Sequence, residues 1–431
     1  MGERRTVAVG ALARVEGEGA LHLRIEGGRV AELRLEIFEP PRFFEAFLRG
    51  RSVWELPDLV ARICGICPVA YQMSAVHALE SIAGVGIHPG VRALRRLYYA
   101  GEWIESHLLH MVFLAAPDYL GLDDAFEVAR IHRREVERCL ALRALGNRIL
   151  ELLGGRSVNP VGVCVGGFTR PPSVEALREL AASLRARMGD AESLLEWIAS
   201  LPVPACPQEV ELVSLRHPEE YPMNEGRVVS SGGLDLAPAE FTSAVEESQV
   251  PHSTALHCRI RGRGSYLVGP LARLLQNRDR LHPRARAAFD ALADRFRRPD
   301  PYASVFARGI EVIYAMEEAI RVAESLPGPV PVPERPELPA GVGHGATEAP
   351  RGILYIRVET DARQCVREIR IVPPTAQNQA RIEEDLRAQA EVLLHLPDEG
   401  LRRRMETAIR NYDPCISCAT HFLDLRVERR P

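Results

Sequence analysis

From residue 7 to residue 36 apolar and polar side chains alternate, as LHLRIE before the pair Gly27–Gly28 and VAELRLE after it. A period of two broken by two glycines is the pattern of a hairpin or small sheet, expected here over residues 5–37. The period then lengthens. Ser52-Val53-Trp54-Glu55 has capping-box spacing, Pro57 suits a first helical turn, and Leu56, Val60, Ile63 and Cys67 follow at helical intervals, so a helix is expected to end near Pro68. Further helical patterns run over 73–82, 91–113, 125–153 and 173–200, separated by Pro and Gly. Short alternating runs such as VELVSL and HCRIRG make 202–268 an irregular β-containing insertion, after which helical periodicity returns at 284–296 and 305–324. The proline-rich stretch 326–341 suits neither helix nor central strand and reads as an extended connection. Two strands, 353–359 and 365–371, and a helix over 376–395 complete the pattern.

These elements predict an α+β fold, predominantly helical. It is a long-helix bundle core, residues 52–200 and 270–421, with flanking small β-sheets in one domain spanning 1–431. Apolar residues at 46% and charged residues at 26% are ordinary globular usage. A formal charge of −4 offers no basic surplus for a phosphate backbone, which removes nucleic acid from the expected partners. No run of about 18 apolar residues suggests a membrane span, and the first residues lack the apolar core of a secretion signal, so a cytoplasmic location is expected.

Chemistry enters with the cysteines. Nine in a chain of 431 are too few and too unevenly placed for a disulfide scaffold. Four of them form two Cys-x-x-Cys pairs near opposite ends, Cys64/Cys67 in RICGIC and Cys415/Cys418 in DPCISCATH. Each pair can turn both sulfurs to one side, and two pairs can enclose one soft metal. Zinc, an iron–sulfur cluster and nickel all accept four sulfurs, so the residue types alone leave the metal open. Cys139, Cys164, Cys206, Cys258 and Cys365 stand singly and read as structural. His107 and His110, three apart on a helix, read as a polar helix stripe.

RICGIC together with DPCISCATH closely resembles the paired signatures of nickel-iron hydrogenase large subunits. The resemblance extends along the chain through ARVEGEG (13–19), PPRFFEAFLRGR (40–51), ESHLLH (105–110), VGGF (165–168), EAPRGIL (348–354) and PTAQN (374–378). It implies the hydrogenase large-subunit fold and reversible heterolytic cleavage of dihydrogen to protons and electrons. By the same resemblance Cys64, Cys67, Cys415 and Cys418 would ligate nickel. Cys67 and Cys418 would also bridge to an iron carrying cyanide and carbon monoxide. Glu16 would exchange a proton with the Cys415 thiolate, and Arg351 would project over the open face of the metals, paired with Asp118 or Asp413. On spacing alone, Glu16 is a charge beside a turn and Arg351 a surface residue after a proline. Glu45 and His421 would hold a magnesium ion, with a backbone carbonyl near 376–378.

The chain carries no further cysteine set for iron–sulfur clusters and no Gly-x-Gly-x-x-Gly fingerprint. The resemblance therefore implies a partner, the iron–sulfur small subunit. RICGICPVAYQMSAVHALE and NYDPCISCATHFL look most like the cytoplasmic, NADP-coupled sulfhydrogenase branch, which implies flavin- and NADP-binding diaphorase subunits. Metal-insertion chaperones and a maturation protease cutting after His421 are further implied partners. Two features depart from common family patterns: Tyr71 stands where many relatives have histidine, and Asn159-Pro160 replaces a histidine–proline pair. The alternatives are a relative of the quinone-reductase large subunit, which lacks the four cysteines, and a zinc-stapled scaffold protein.

Overall fold

The computed structural model describes residues 4–420. A three-stranded antiparallel meander, Arg4–Val9, Gly19–Glu26 and Arg29–Ile37, forms one flank. Leu21, Leu23 and Ile25 are buried while His22, Arg24 and Glu26 are more exposed, the arrangement that strand pleating gives to an alternating sequence. Gly27 and Gly28 both have positive φ, 57° and 75°, as a tight hairpin turn of the right twist requires. Of the hairpin or small sheet expected over residues 5–37, the small sheet is what forms, with Arg4–Val9 as its first strand.

The helical core is built on Ser304–Ser325, which packs against both Pro89–Leu108 and Val174–Ser200, while Arg133–Gly154 packs against Pro89–Leu108. The central helix is buried nearly all round, as a helix apolar on most faces must be. Its charged residues are paired within the core: Glu311 receives Arg273 at 2.7 Å and Glu318 receives Arg96 at 2.5 Å.

Three boundaries differ from the sequence pattern. Pro68 starts a helix, Pro68–Ala83, where one was expected to end, because proline at the first helical position lacks only an amide that has no partner there. The periodic stretch 125–153 divides at His132 into Ala125–Ile131 and Arg133–Gly154, with Asp124 capping the first piece. The helix expected over 91–113 passes through a π-helical turn, Leu109–Ala115, into Ala116–Leu120; such turns are frequent at functional sites.

The insertion holds a four-stranded sheet, in the order Tyr266–Leu267, Glu211–Arg216, Arg227–Ser230, Asp235–Leu236, and a ribbon of Val245–Ser248 with His257–Ile260. The strands Gly352–Thr360 and Val366–Val372 are joined by a third, Gly341–Ala349, that the pattern did not predict. Its sequence, GVGHGATEA, is poor in β-branched residues for a reason of packing. A Cβ at Gly343 or Gly345 would collide with the carbonyl oxygens of Ala78 and Ser74, so this strand lies directly on the helix Pro68–Ala83. We expect Gly345→Ala to push strand and helix apart at a cost of about 1–3 kcal/mol. The midpoint of urea unfolding measures this, and an unchanged midpoint would show that the strand can back away freely.

Candidate metal centre

Cys67 immediately precedes the helix Pro68–Ala83, and Cys64 lies in the turn before it; Cys415 immediately precedes the short helix Ile416–Ala419, which contains Cys418. The two ends of the chain bring these four buried residues together, with all four sulfurs within 4.8 Å of one another. Cys64 Sγ lies 3.5 Å from Cys415 Sγ, Cys67 Sγ 3.7 Å from Cys418 Sγ, and Cys415 Sγ 2.7 Å from Cys418 Sγ. Hydrogen bonds among the sulfurs hold Cys64 well below the ordinary thiol range, and the amides of Ile66 and Cys67 also point at its Sγ at 3.3 and 3.4 Å. Burial, together with the surrounding sulfurs, pushes Cys415 well above that range. Negative charge is thus favoured at one sulfur and resisted at the next. Four adjacent thiolates away from water require a compensating cation, and a soft transition metal fits this donor set.

Backbone pairing links the two loops. Glu16 and Cys415 form an isolated parallel bridge in which the Ile416 amide donates to the Glu16 carbonyl at 2.9 Å. Thr375 Oγ1 accepts the Cys415 amide at 3.0 Å. The Arg42 guanidinium donates to the carbonyls of Ile63 and Ser417, the latter at 2.6 Å, tying the loop of one pair to the loop of the other. Glu102, buried, accepts the Val69 amide at 2.6 Å at the start of the Pro68 helix.

The bridge sets the Glu16 carboxylate on the Cys415 sulfur: Oε2 accepts from Cys415 Sγ at 3.1 Å and from the Ser417 amide at 3.0 Å. Ser417 Oγ donates to Glu39 Oε1 at 2.6 Å, and Glu39 Oε2 accepts the amide of exposed Glu18 at 3.1 Å. Two half-buried carboxylates therefore flank residue 417 between the sulfurs and the surface.

Arg351 also stands within charge range of the sulfurs. Its Nε donates to the Asp413 carbonyl at 2.7 Å and its Nη2 to Asp413 Oδ1 at 2.9 Å, while Nη1 is buried without a hydrogen-bond partner. Burial opposes its charge, but Asp413 and the sulfurs of Cys415, Cys67 and Cys64 outweigh burial and raise its pKa. Asp413 has φ of 56°, a left-handed conformation that aspartate tolerates better than most residues and that turns the chain just before Cys415. Behind it stands Arg308, with Nη1 3.2 Å from Asp413 Oδ2; burial brings its pKa down to about 10 although Asp413 works the other way.

Asp118 is placed elsewhere than beside Arg351. It takes Arg14 at 2.5 Å and both Nε and Nη2 of Arg410 at 2.7 and 2.8 Å, anchoring the loop before Glu16 to the helix Asp398–Asn411. With two cations satisfying its oxygens, it serves the scaffold, and Asp413 is the carboxylate of Arg351. His107 and His110 are fully buried, not a solvent-facing stripe. Burial lowers them to about 4 and about 3, so both are neutral; His110 Nε2 donates to the Arg410 carbonyl, and His107 Nε2 lies 3.0 Å from Glu311.

Tyr71 is buried beside the sulfurs. Burial raises its pKa well above the ordinary phenol value, and Cys418 and Cys67 raise it further. Gln72 Nε2 donates to the carbonyl of Pro160, so the segment containing Asn159 packs on the same helix. Glu45 Oε1 accepts the Ile371 amide at 2.7 Å, whereas 376–378 lie within the helix Pro374–Leu393. His421 and the tail after it lie outside the described residues. Cys139, Cys164, Cys206, Cys258 and Cys365 stand outside the sulfur cluster. Sequence spacing did not single out Arg42, Glu39, Ser417 or Arg308, because their roles arise from contacts between distant segments.

The sequence matches the family model described as nickel-dependent hydrogenase over residues 42–137 and 259–421. It is 32% identical to the alpha chain of sulfhydrogenase 1 from Pyrococcus furiosus, over 97% of this chain and 98% of that one. The chain belongs to the nickel-dependent hydrogenase family. It is a hydrogenase catalytic large subunit, an oxidoreductase that acts on dihydrogen, and the expected α+β, mainly helical large-subunit fold is the one it adopts. It is also 32% identical to the alpha chain of sulfhydrogenase 2 from the same organism, over 96% of this chain and 98% of that one. Its fold is similar to that of an NAD+-reducing [NiFe]-hydrogenase in the H2-reduced state, with a TM-score of 0.87, 29% identity, and coverage of 97% of this chain and 99% of that one. These relatives are named as subunits, so the hydrogenases they belong to have further chains.

Proposed function

We propose that Cys64, Cys67, Cys415 and Cys418 of this large subunit would hold a nickel-iron centre, all four as ligands for nickel and Cys67 and Cys418 also for an iron carrying cyanide and carbon monoxide. The observation behind it is the buried four-sulfur cluster with a carboxylate on one sulfur and, within charge range of three of them, a guanidinium with an unpartnered nitrogen. When bound, the centre supplies the redox-active Lewis acid at which dihydrogen is polarised and split. Arg351, fixed by Asp413 through Nε and Nη2, keeps Nη1 free to place positive charge beside the reacting molecule. Cys415 Sγ takes up a proton and passes it to Glu16 Oε2, and it leaves past Ser417 toward Glu39 and the surface.

Electrons leave through an iron–sulfur small subunit, and flavin-bearing subunits carry them to NADP in the cytoplasm. The similarity to sulfhydrogenase alpha chains supports the sulfhydrogenase branch from which this reading comes, while an NAD-reducing relative, the beta chain of hydrogenase HoxS from Cupriavidus necator, makes NAD the competing acceptor. No described helix is long and apolar enough to cross a membrane. Glu45 would hold a magnesium ion together with His421, which lies outside the described residues, and a maturation protease and metal-insertion chaperones would act on the chain. Infrared bands in the cyanide and carbonyl region, with nickel and iron found by metal analysis of the purified complex, test the centre. Zinc in place of nickel and iron, with no such bands, overturns it in favour of a stapled scaffold. Hydrogen-dependent reduction of NADP against NAD then decides the acceptor.

Glu16→Gln is expected to keep the Ser417 amide contact but to lose proton transfer, slowing hydrogen-dependent dye reduction about 10²-fold or more with metal content unchanged. Hydrogen–deuterium exchange should fall in parallel. Undiminished exchange would place the proton route elsewhere.

A further inference from the structure

A second group of metal-ligand residues lies away from the sulfurs. His252 is in the turn after Val245–Ser248, His257 opens the strand His257–Ile260, and Glu383 is on the helix Pro374–Leu393. One donor atom from each lies within 4.8 Å of those of the other two. His252 Nε2 is 2.7 Å from Glu383 Oε1, and the two imidazoles stand nearly perpendicular, at 86°, with centroids 6.0 Å apart. The Leu35 amide orients the carboxylate, donating to Oε1 at 2.9 Å. A histidine–carboxylate hydrogen bond accounts for two of these residues and leaves the third unexplained. His257 is only 3% exposed, and its buried Nε2 has no hydrogen-bond partner. Leaving such a nitrogen unsatisfied sacrifices its hydration with nothing in return. Burial also lowers its pKa, which favours the neutral form that ligates metals.

We propose that His252, His257 and Glu383 form a second metal site, for a borderline divalent cation of the zinc class, with water completing the coordination. Two imidazoles and one carboxylate are a known donor set for zinc, and the Leu35 amide supplies the outer hydrogen bond that usually fixes a ligating carboxylate. In binding, the cation replaces the His252–Glu383 hydrogen bond, and the two donors separate to roughly the 3.4 Å set by metal bonds of about 2.1 Å. The site would act as a clamp. Thr254, in the same turn, bonds the carbonyls of Ile37 and Glu39 through Oγ1 at 3.0 and 2.9 Å, so the cation would fasten the limb bearing Glu39 to the helix of Glu383.

The test uses the purified hydrogenase complex, stripped of loosely held metal with a mild chelator and then equilibrated with zinc alone or cobalt(II) alone. The wild type should retain one equivalent of zinc more than His257→Gln or Glu383→Gln. Both variants should bind it about 10²-fold more weakly. Cobalt should give visible ligand-field bands without the sulfur charge-transfer absorption that binding at the cysteines would produce. Zinc should raise the melting temperature of the wild type and leave that of the variants unchanged. Glu383→Gln preserves size and the Leu35 contact, so it reports on binding even where His257→Gln fails to fold. Equal zinc content and equal melting shifts in wild type and Glu383→Gln, or a cobalt spectrum dominated by sulfur charge transfer, would overturn the proposal.

Discussion

Cys418→Ala should abolish hydrogen-dependent dye reduction and remove the cyanide and carbonyl infrared bands, while Cys139→Ala leaves both intact. Cys418 Sγ stands 2.7 Å from one sulfur of the cluster and 3.7 Å from another, so its removal opens the cluster at the position where two metals would share a ligand. Structural zinc held by four protein ligands gains about 10–16 kcal/mol on binding, and on that scale one thiolate accounts for roughly 3 kcal/mol, or more than 10²-fold in affinity. Losing a shared ligand affects both metals at once, and the expected result is loss of iron together with activity. Cys139 is equally buried but stands outside the sulfur cluster, with its thiol directed to the Leu108 carbonyl, which makes it the control for burial alone. Full dye reduction by Cys418→Ala would remove this cysteine from the ligand set.

The parts legible in the sequence were those with a short period or a dense motif. Alternation identified the meander from Gly19 to Ile37, and a 3.6-residue period identified Val174–Ser200 down to its Ser173 cap, whose Oγ accepts the Ala176 amide. The strand Gly341–Ala349 was hidden because close contact with a helix selected glycine where strand propensity would select valine. The Asp398–Asn411 helix was missed although Asp398 and Glu399 stand in its first turn, where acidic residues suit a helix start. At the site, two cysteine pairs pointed to a metal, and family resemblance pointed to Glu16 and Arg351. Neither could reveal that Asp118 serves Arg14 and Arg410 while Asp413 serves Arg351. Carboxylates have no sequence feature that names their partner. That choice is made by the left-handed turn at Asp413, which depends on the packing of chain ends nearly 400 residues apart.

Arg351→Lys should lower hydrogen-dependent dye reduction by about 10²–10³-fold with nickel, iron and the infrared bands retained, the usual loss when one fixed charge-stabilising donor is removed from a buried site. Charge is conserved in this change, so any loss reports on geometry. The guanidinium uses Nε and Nη2 on Asp413 and still has Nη1 to present, whereas one ammonium group on a flexible stem cannot hold both Asp413 contacts and also reach forward. Lysine would be drawn onto Asp413, the nearest anion, and away from the sulfurs. Arg308 keeps the carboxylate from being left as an uncompensated buried charge, which is why the variant should fold. The companion change, Arg308→Lys, leaves both Arg351 contacts in place and should cost far less activity. Equal losses in the two variants would mean that the site needs only the summed positive charge around Asp413, and the directional role of Arg351 would fall.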